Sequence, residues 1–277
     1  MPFEPMRPSP AATCFPPRQD TNRLARWGRL AYEYAVFYIG LVLPVAPLLV
    51  WSVLAAIVSV MLPRRTGAAI GRLMIMNISR GYLFALTLSG LVKLDLDALE
   101  ALRDEHSLII APNHPSLLDV VLMVSRLPHA ACIMKAELWE NVFLNRAVSL
   151  AGYIRNDSAV SMVRLAAIAV RAGGQLLIFP EGTRTTRHPV NSFKGGFALI
   201  AKNAGVPVQT VFIESNSAFL SKGWPIFRKP EFPLVYRARL GRRFEVDGEV
   251  KAFVADMADY YRQSLEPGHF PQALTPH

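Results

Sequence analysis

The sequence contains few cysteines and few charged residues. Two of its 277 residues are cysteine, Cys14 and Cys132, and they form neither a Cys-x-x-Cys pair nor part of a metal-ligand cluster. This excludes a disulfide-framework protein and a zinc finger, and it is typical of a reducing compartment. Charged residues make up 18% of the chain and hydrophobic residues 52%, with a mean hydropathy of +0.25. The chain is therefore rather apolar for a soluble protein.

Common catalytic and nucleic-acid-binding motifs are also missing. There is no G-x-S-x-G nucleophile elbow and no P-loop, and no G-x-G-x-x-G follows a predicted strand. We therefore do not expect a serine ester intermediate, and direct attack by a bound hydroxyl fits better. The net charge of +9 indicates an anionic partner, either nucleic acid or a membrane face. Because the apolar excess is concentrated in one stretch and no nucleic-acid-binding motif occurs, we expect the partner to be membrane lipids and not nucleic acid.

That stretch is residues 34–62, which contain no charged residue. As one straight helix it would be about 43 Å long, which exceeds a hydrocarbon core of about 30 Å. Pro44 and Pro47 interrupt it, and arginines flank it on both sides, so the positive-inside rule gives no direction. Three interpretations stay open: a proline-broken re-entrant or hairpin anchor with both ends cytoplasmic, one tilted span, or a buried helix pair of a soluble protein.

The composition divides the chain into three parts. Residues 1–20 are rich in proline and are expected to form a disordered tail. Residues 21–92 are predicted to be a helical membrane-anchoring segment, whose part from 67 to 92 is amphipathic and lies on the membrane or on the catalytic domain. Residues 93–277 form the candidate catalytic domain.

In this domain short apolar runs alternate with helical patterns, which predicts an α/β fold with a largely parallel sheet flanked by helices. The runs predict strands at 107–111, 130–134, 175–179 and 206–213, helices at 116–127, 137–149, 158–172, 192–203 and 249–265, and one or two strands within 231–246.

The first candidate site is the block 113–119 (NHPSLLD), directly after a predicted strand. Because helical side chains tilt toward the N-terminus, a carboxylate on Asp119 can reach back to the imidazole of His114. In such a pair the carboxylate orients the imidazole, and the imidazole removes a proton from an attacking hydroxyl. The spacing from Ser116 to Asp119 also matches a capping box, so a purely structural role stays open.

The second candidate site is the block 179–184 (FPEGTR), at the end of the strand predicted at 175–179. Gly182 permits a positive φ or the close approach of a ligand. The planar guanidinium of Arg184 suits a phosphate or a carboxylate, and Lys194 adds positive charge nearby. The alternative is a solvated turn.

Together the two blocks resemble the glycerolipid acyltransferases, typified by lysophosphatidate acyltransferase. That family has a His-x4-Asp block after a strand and a Phe-Pro-Glu-Gly-Thr-Arg block roughly sixty residues later, as here, and the resemblance covers roughly residues 90–215. It implies that His114 is the general base and Asp119 its partner, with no metal and no cofactor. The resemblance and the neighbouring charges place acceptor binding on Glu181, Gly182, Thr183, Arg184, Arg155, Lys135 and Lys194.

The sequence departs from the family pattern in three places. Two leucines stand where members often have an aromatic residue before the Asp. Arg155 lies three residues after Gly152, where the family usually has six, and the last block reads 206–210 (VPVQT) in place of Val-Pro-Ile-Val-Pro. These changes spare the expected base and affect the part that recognises the acceptor.

The resemblance implies transfer of a fatty acyl group from acyl-CoA or acyl carrier protein to a lysolipid hydroxyl, by default that of 1-acylglycerol 3-phosphate. Another acceptor, such as a lyso-ornithine lipid or a specialised lipid headgroup, is an alternative, and so is a non-catalytic membrane lipid-binding protein. We expect the chain at the inner (cytoplasmic) membrane, with its catalytic domain facing the cytoplasm.

Overall fold

The fold is a seven-stranded sheet covered by helices on both faces. The computed structural model describes residues 23–265, so the tail expected at 1–20 lies outside the described residues. The strands are β1 Val92–Asp95, β2 Leu108–Pro112, β3 Ala130–Lys135, β4 Ile154–Asn156, β5 Gln175–Leu177, β6 Val208–Ser215 and β7 Leu234–Phe244.

Three helices precede the sheet and six lie between or after its strands. They are α1 Arg23–Val42, α2 Val45–Met61, α3 Arg64–Leu88, α4 Leu118–Val124, α5 Ala136–Trp139, α6 Val142–Leu150, α7 Ala159–Arg171, α8 Gly196–Ala204 and α9 Val250–Ser264, and a 3₁₀ helix spans Asp97–Leu102. The predicted elements are present within a few residues of their expected bounds. The helix expected at 137–149 is two helices, α5 and α6, and 231–246 forms one strand.

The strand order is β1-β7-β6-β2-β5-β3-β4. The strands from β6 to β4 are parallel, β7 is antiparallel to β6, and β1 is parallel to β7. The prediction of a largely parallel sheet flanked by helices is confirmed.

The central strand β2 shows why both faces are covered. Its side chains alternate between the two sides of the sheet. Leu108 and Ile110 belong to a core with residues of α1, α3 and α4, whereas Ile109 and Ala111 belong to a core with α7, α8 and α9. A strand buried on both faces reads as a continuous apolar run, which is the pattern that predicted it.

The apolar N-terminal run is helical with a break at Pro44. Pro47 lies in the first turn of α2, where its missing N–H removes no helical hydrogen bond. Residues 23–61 are long and apolar enough to cross a membrane, and most of this stretch is exposed. Phe37 of α1 packs against the catalytic domain near Phe219, and α2 packs on α6 through Trp51. A proline-interrupted helical segment, as predicted, therefore rests on the domain at two places.

Helix α3 lies on the catalytic domain. A Cβ built at Gly71 would lie 2.6 Å from the backbone nitrogen of Ala151, so the α3 backbone closely approaches the end of α6. Arg72 Nη1 donates to the carbonyl of Ala151 at 3.1 Å. Of the two positions expected for the amphipathic segment, the structure shows the one against the domain.

Candidate active site

The two candidate blocks leave the sheet side by side. Strands β2 and β5 are parallel neighbours, so the loops that follow them emerge at the same edge. Asn113 fixes the exit of β2, because its side chain donates to the carbonyl of Ile213 at 2.9 Å and accepts from the Ile213 N–H at 2.7 Å. The block after β2 is thereby tied to β6 as well.

His114 and Asp119 form a hydrogen-bonded pair. His114 Nδ1 lies 3.0 Å from Asp119 Oδ2, and the same oxygen accepts from the Ser116 N–H at 2.7 Å. The carboxylate therefore makes both the capping contact and the imidazole contact that the spacing left open. Because the carboxylate accepts, Nδ1 must donate, and Nε2 carries the free lone pair of the neutral ring. The His114 side chain is 12% exposed and Asp119 is fully buried.

Burial changes the acidity of Asp119. Desolvation raises its pKa to about 6, although the hydrogen bonds from His114 and the Ser116 N–H favour the charged form. At neutral pH the carboxylate is still mostly ionised. It can therefore hold Nδ1–H and stabilise an imidazolium.

The imidazole also stacks on an aromatic ring that the sequence interpretation gave no role. The rings of His114 and Phe179 lie 3.9 Å apart between centroids, with 21° between their planes. Phe179 is the first residue of the FPEGTR block, so this block positions the base itself. The sequence signal for this contact was the position of Phe179 directly after β5, the strand next to β2.

Glu181 holds the backbone around the base. The residue is buried, and its Oε1 accepts from the His114 N–H at 3.0 Å and from Thr185 Oγ1 at 2.7 Å. Its Oε2 accepts from the Asn191 N–H at 2.8 Å, and the Thr185 N–H donates to the carbonyl of His114 at 2.7 Å. The carboxylate thus faces the protein, in contrast to the substrate contact predicted for it. Thr185 was not predicted.

Arg184 lies near the base but is partly engaged. Its Nη1 donates to the carbonyls of Leu220 at 2.9 Å and Ser221 at 3.0 Å. The predicted contact to an anionic headgroup must therefore use the other donors of the guanidinium. The Nη1 contacts attach the FPEGTR block to the loop between β6 and β7.

The other predicted acceptor residues lie around this block or on the neighbouring strands. Gly182 has a φ of +67°, and a Cβ there would lie 2.9 Å from Lys194 Cδ, so the lysine side chain crosses this glycine. Thr183 is half-buried beside it. The positive φ confirms that this position needs glycine.

Lys135 and Arg155 lie at the ends of β3 and β4, on the far side of β5 from His114. Lys135 is exposed. Arg155 pairs with Asp157 at 3.2 Å and with Glu140 at 3.5 Å. The sheet order thus places both cations away from the base, although at the same edge of the sheet.

The described residues offer little for other kinds of catalysis. Within 23–265 no group of three or more His, Cys, Asp or Glu side chains could hold a metal ion. Cys132 is a free thiol, but burial raises its pKa to about 12, so it is not a thiolate at neutral pH. Among the described residues, the His114–Asp119 pair is the arrangement best suited to move a proton.

An apolar crevice lies beside Leu118 and Leu122 of α4, the helix that begins at the end of the NHPSLLD block. It lies between α1, α3, α4 and the loop that follows β6, and Phe37, Leu83, Leu118, Phe219 and Leu234 are among its lining residues. Leu118 is next to Asp119 in the chain. Such a crevice suits a hydrocarbon chain, since its lining is almost entirely apolar.

Comparisons with known proteins agree with this chemistry. The Acyltransferase family model matches residues 93–214. The 1-acyl-sn-glycerol-3-phosphate acyltransferase of Pseudomonas aeruginosa is 23% identical over 214 residues, which cover 75% of this chain and 80% of that protein. The enzyme of the same name from Helicobacter pylori is 33% identical over 127 residues, 43% of this chain and 54% of the relative. The aligned part thus spans about half the length of the second relative.

A solved structure shares the fold. The 1-acyl-sn-glycerophosphate acyltransferase of Thermotoga maritima superimposes with a TM-score of 0.60 at 21% identity, covering 87% of this chain and 96% of the other. The family match, the two relatives and the shared fold agree with the resemblance carried by the two sequence blocks. Residues 93–214 therefore carry the domain that the Acyltransferase family model describes, and the protein is an O-acyltransferase.

Proposed function

We propose that the protein transfers a fatty acyl group from a thioester to the hydroxyl of a lysolipid, with 1-acylglycerol 3-phosphate as acceptor and phosphatidate as product. The observation that carries the proposal is the His114–Asp119 pair, held at 3.0 Å beside an apolar crevice. A base without a nucleophile suits direct transfer to a bound hydroxyl. The names of the relatives support the phosphate acceptor.

In the proposed reaction Nε2 of His114 removes the proton of the acceptor hydroxyl while the oxygen attacks the thioester carbonyl carbon. Asp119 stabilises the imidazolium that forms. When the tetrahedral intermediate collapses, the carbon–sulfur bond breaks and the imidazolium returns the proton to the thiolate. An ester and a thiol leave the site, and the protein is unchanged.

The charges near the base suit the acceptor's headgroup. We assign phosphate binding to Lys194 and to the donors of Arg184 other than Nη1, because both residues border Gly182, where the backbone is exposed. Lys135 at the neighbouring strand end extends the positive potential, whereas the charge of Arg155 is offset by Asp157 and Glu140. Glu181 supports this site through the backbone, and Thr183 lies within it.

We assign the hydrocarbon chain of a substrate to the apolar crevice that Leu118 helps to line. The crevice runs between the sheet and α1, so one end of it is formed by the candidate membrane segment. This placement agrees with a lipid acceptor and with a donor that is either acyl-CoA or acyl carrier protein. We propose the inner (cytoplasmic) membrane as the location, with the catalytic domain on the cytoplasmic side.

One experiment tests the reaction and the acceptor together. Membranes containing the full-length protein are incubated with a labelled acyl thioester and a panel of lysolipids that includes lysophosphatidate and lyso-ornithine lipid, and the products are identified by mass. His114→Ala should lower the rate by about 10²–10⁴-fold with folding intact. A variant with near-normal turnover would refute His114 as the base. Lipid binding without any product would instead favour the non-catalytic alternative.

A further inference from the structure

The loop between β6 and β7 exposes two neighbouring apolar side chains. Ile226 is 51% exposed and Phe227 is 73% exposed, although both are large. Single exposed apolar residues are common on protein surfaces, whereas an adjacent pair at a loop tip is a candidate contact surface. We refer to residues 216–230 as the 216–230 loop.

The charge pattern of this loop indicates its partner. The 216–230 loop contains no acidic residue, although the exposed Glu231 follows it directly. Its exposed basic side chains are Lys222 and Arg228, whereas Lys229 pairs with Glu33. The Arg228 guanidinium lies 5.0 Å from the centre of the Trp224 ring, and Trp224 Nε1 donates to the carbonyl of Arg228 at 3.0 Å. Apolar and aromatic side chains between basic residues suit the interface of an anionic bilayer, where the rings enter the headgroup region and the cations meet lipid phosphates.

The 216–230 loop is attached to the candidate membrane segment. Lys229 Nζ lies 2.7 Å from Glu33 Oε2 on α1, and both side chains are largely buried. The ring of Phe219 packs on Phe37 of α1 and on Trp224 of the same loop, with centroids 6.1 and 6.0 Å apart. An anchor formed by α1 therefore carries the loop with it.

The other side of the loop forms a wall of the active site. Arg184 Nη1 donates to the carbonyls of Leu220 and Ser221, and the Leu117 N–H donates to the carbonyl of Leu220 at 3.0 Å. Ser116 Oγ donates to the carbonyl of Phe219 at 2.9 Å. The loop thus connects the block that carries the base with the exposed tip.

We propose that the tip of the 216–230 loop inserts Ile226 and Phe227 into the surface of an anionic bilayer. This second contact, in addition to α1 and α2, places the mouth of the active site against the membrane. A lysolipid then reaches His114 from the bilayer without passing through water. The lipid contact of the tip does not depend on the reaction, whereas its effect on turnover rests on the proposed function.

A direct test uses a fluorescent label in the full-length protein. With Cys14 changed to serine, an environment-sensitive dye is attached to Phe227→Cys, and the protein is reconstituted in phosphatidylglycerol-containing vesicles with brominated acyl chains. The control is Val160→Cys on α7, which is exposed on the opposite face of the sheet. We expect quenching at position 227 and none at 160. Equal quenching at the two positions, or none at 227, would overturn the proposal whether or not the protein is an acyltransferase.

A second test measures turnover with the acceptor presented in two ways. The double variant Ile226→Ser/Phe227→Ser should be roughly tenfold slower on long-chain lysophosphatidate held in vesicles, because two buried apolar side chains are lost from the interface. On short-chain lysophosphatidate below its micelle concentration the rate should stay unchanged, as it should in both assays for the control Val160→Ser/Ile168→Ser. Equal losses in both assays would mean that the tip supports the site structurally. A rise confined to the thioester KM would mean that the tip contacts a carrier protein, and either result overturns the proposal.

Discussion

Replacing Glu181 by glutamine separates a positioning role from a substrate contact. The carboxylate accepts three hydrogen bonds from within the protein, from the His114 N–H, from Thr185 Oγ1 and from the Asn191 N–H. Glutamine keeps one carbonyl oxygen for the first two donors but presents an NH₂ group to the third. One charge-assisted hydrogen bond is lost, and the two others become neutral.

The magnitude follows from these contacts. A hydrogen bond to a charged group contributes about 1.5–3 kcal/mol and a neutral one about 0.5–1.5 kcal/mol, so losing one charged bond and making two neutral lowers the free energy of unfolding by about 3.5–6 kcal/mol. For a protein of this size that lowers the Tm by roughly 7–24 °C. Because the backbone of His114 also loses its support, kcat should fall as well.

The assay is thermal unfolding in detergent combined with steady-state kinetics. The control is Glu245→Gln, which changes an exposed carboxylate just after β7, at the opposite edge of the sheet from the site, and should alter neither quantity. An unchanged Tm with a raised acceptor KM would show that Glu181 contacts the substrate directly. That result would refute the positioning role and restore the contact expected from the sequence.

Three further predictions concern acidity, the acceptor contact and the packing of α3. Burial raises the pKa of Asp119, so this carboxyl group holds its proton more tightly in the folded state. We therefore expect kcat/KM to fall as the pH drops through about 6 and Asp119 becomes protonated. A pH–rate profile that stays flat to about pH 5 would contradict this. Arg184→Lys should raise the KM of a phosphate acceptor about 10–100-fold, since the point charge of an ammonium group replaces the planar guanidinium. An equal loss of activity with an uncharged acceptor would show that Arg184 is structural. Gly71→Ala should lower the free energy of unfolding by about 1–3 kcal/mol, because its Cβ would meet the backbone of Ala151. Gly81→Ala has open space around it and should raise the free energy of unfolding by about 0.5–1 kcal/mol. Chemical denaturation measures both values.

The sequence predicted the elements whose signal is local. Strand β2 is a continuous apolar run, and α7 carries Ser158 as its N-cap and a glycine pair after its end, so both lie close to the expected positions. Strand β1 reads VKLD and alternates polar with apolar residues over four positions, which is too short a pattern to recognise. It is defined by its pairing with β7, more than a hundred residues away.

The same distinction applies to the site. The spacing from His114 to Asp119 is local, and the structure brings the two side chains to hydrogen-bonding distance. Arg184 contacts the loop between β6 and β7, and one donor to Glu181 is the His114 N–H, so composition and spacing could not show these contacts. The other donors to Glu181, Thr185 and Asn191, follow it in the same loop, but only the folded loop shows that they turn toward the carboxylate.

The pairing of β1 with β7 has a consequence for the order in which the chain folds. β1 follows α3 directly, yet its partner strand lies about 140 residues further along the chain, which a ribosome takes about 7–28 s to synthesise. During that interval α1 and α2 are complete while the edge of the sheet that they lead into cannot form. The apolar helices therefore have time to enter a bilayer before the catalytic domain closes.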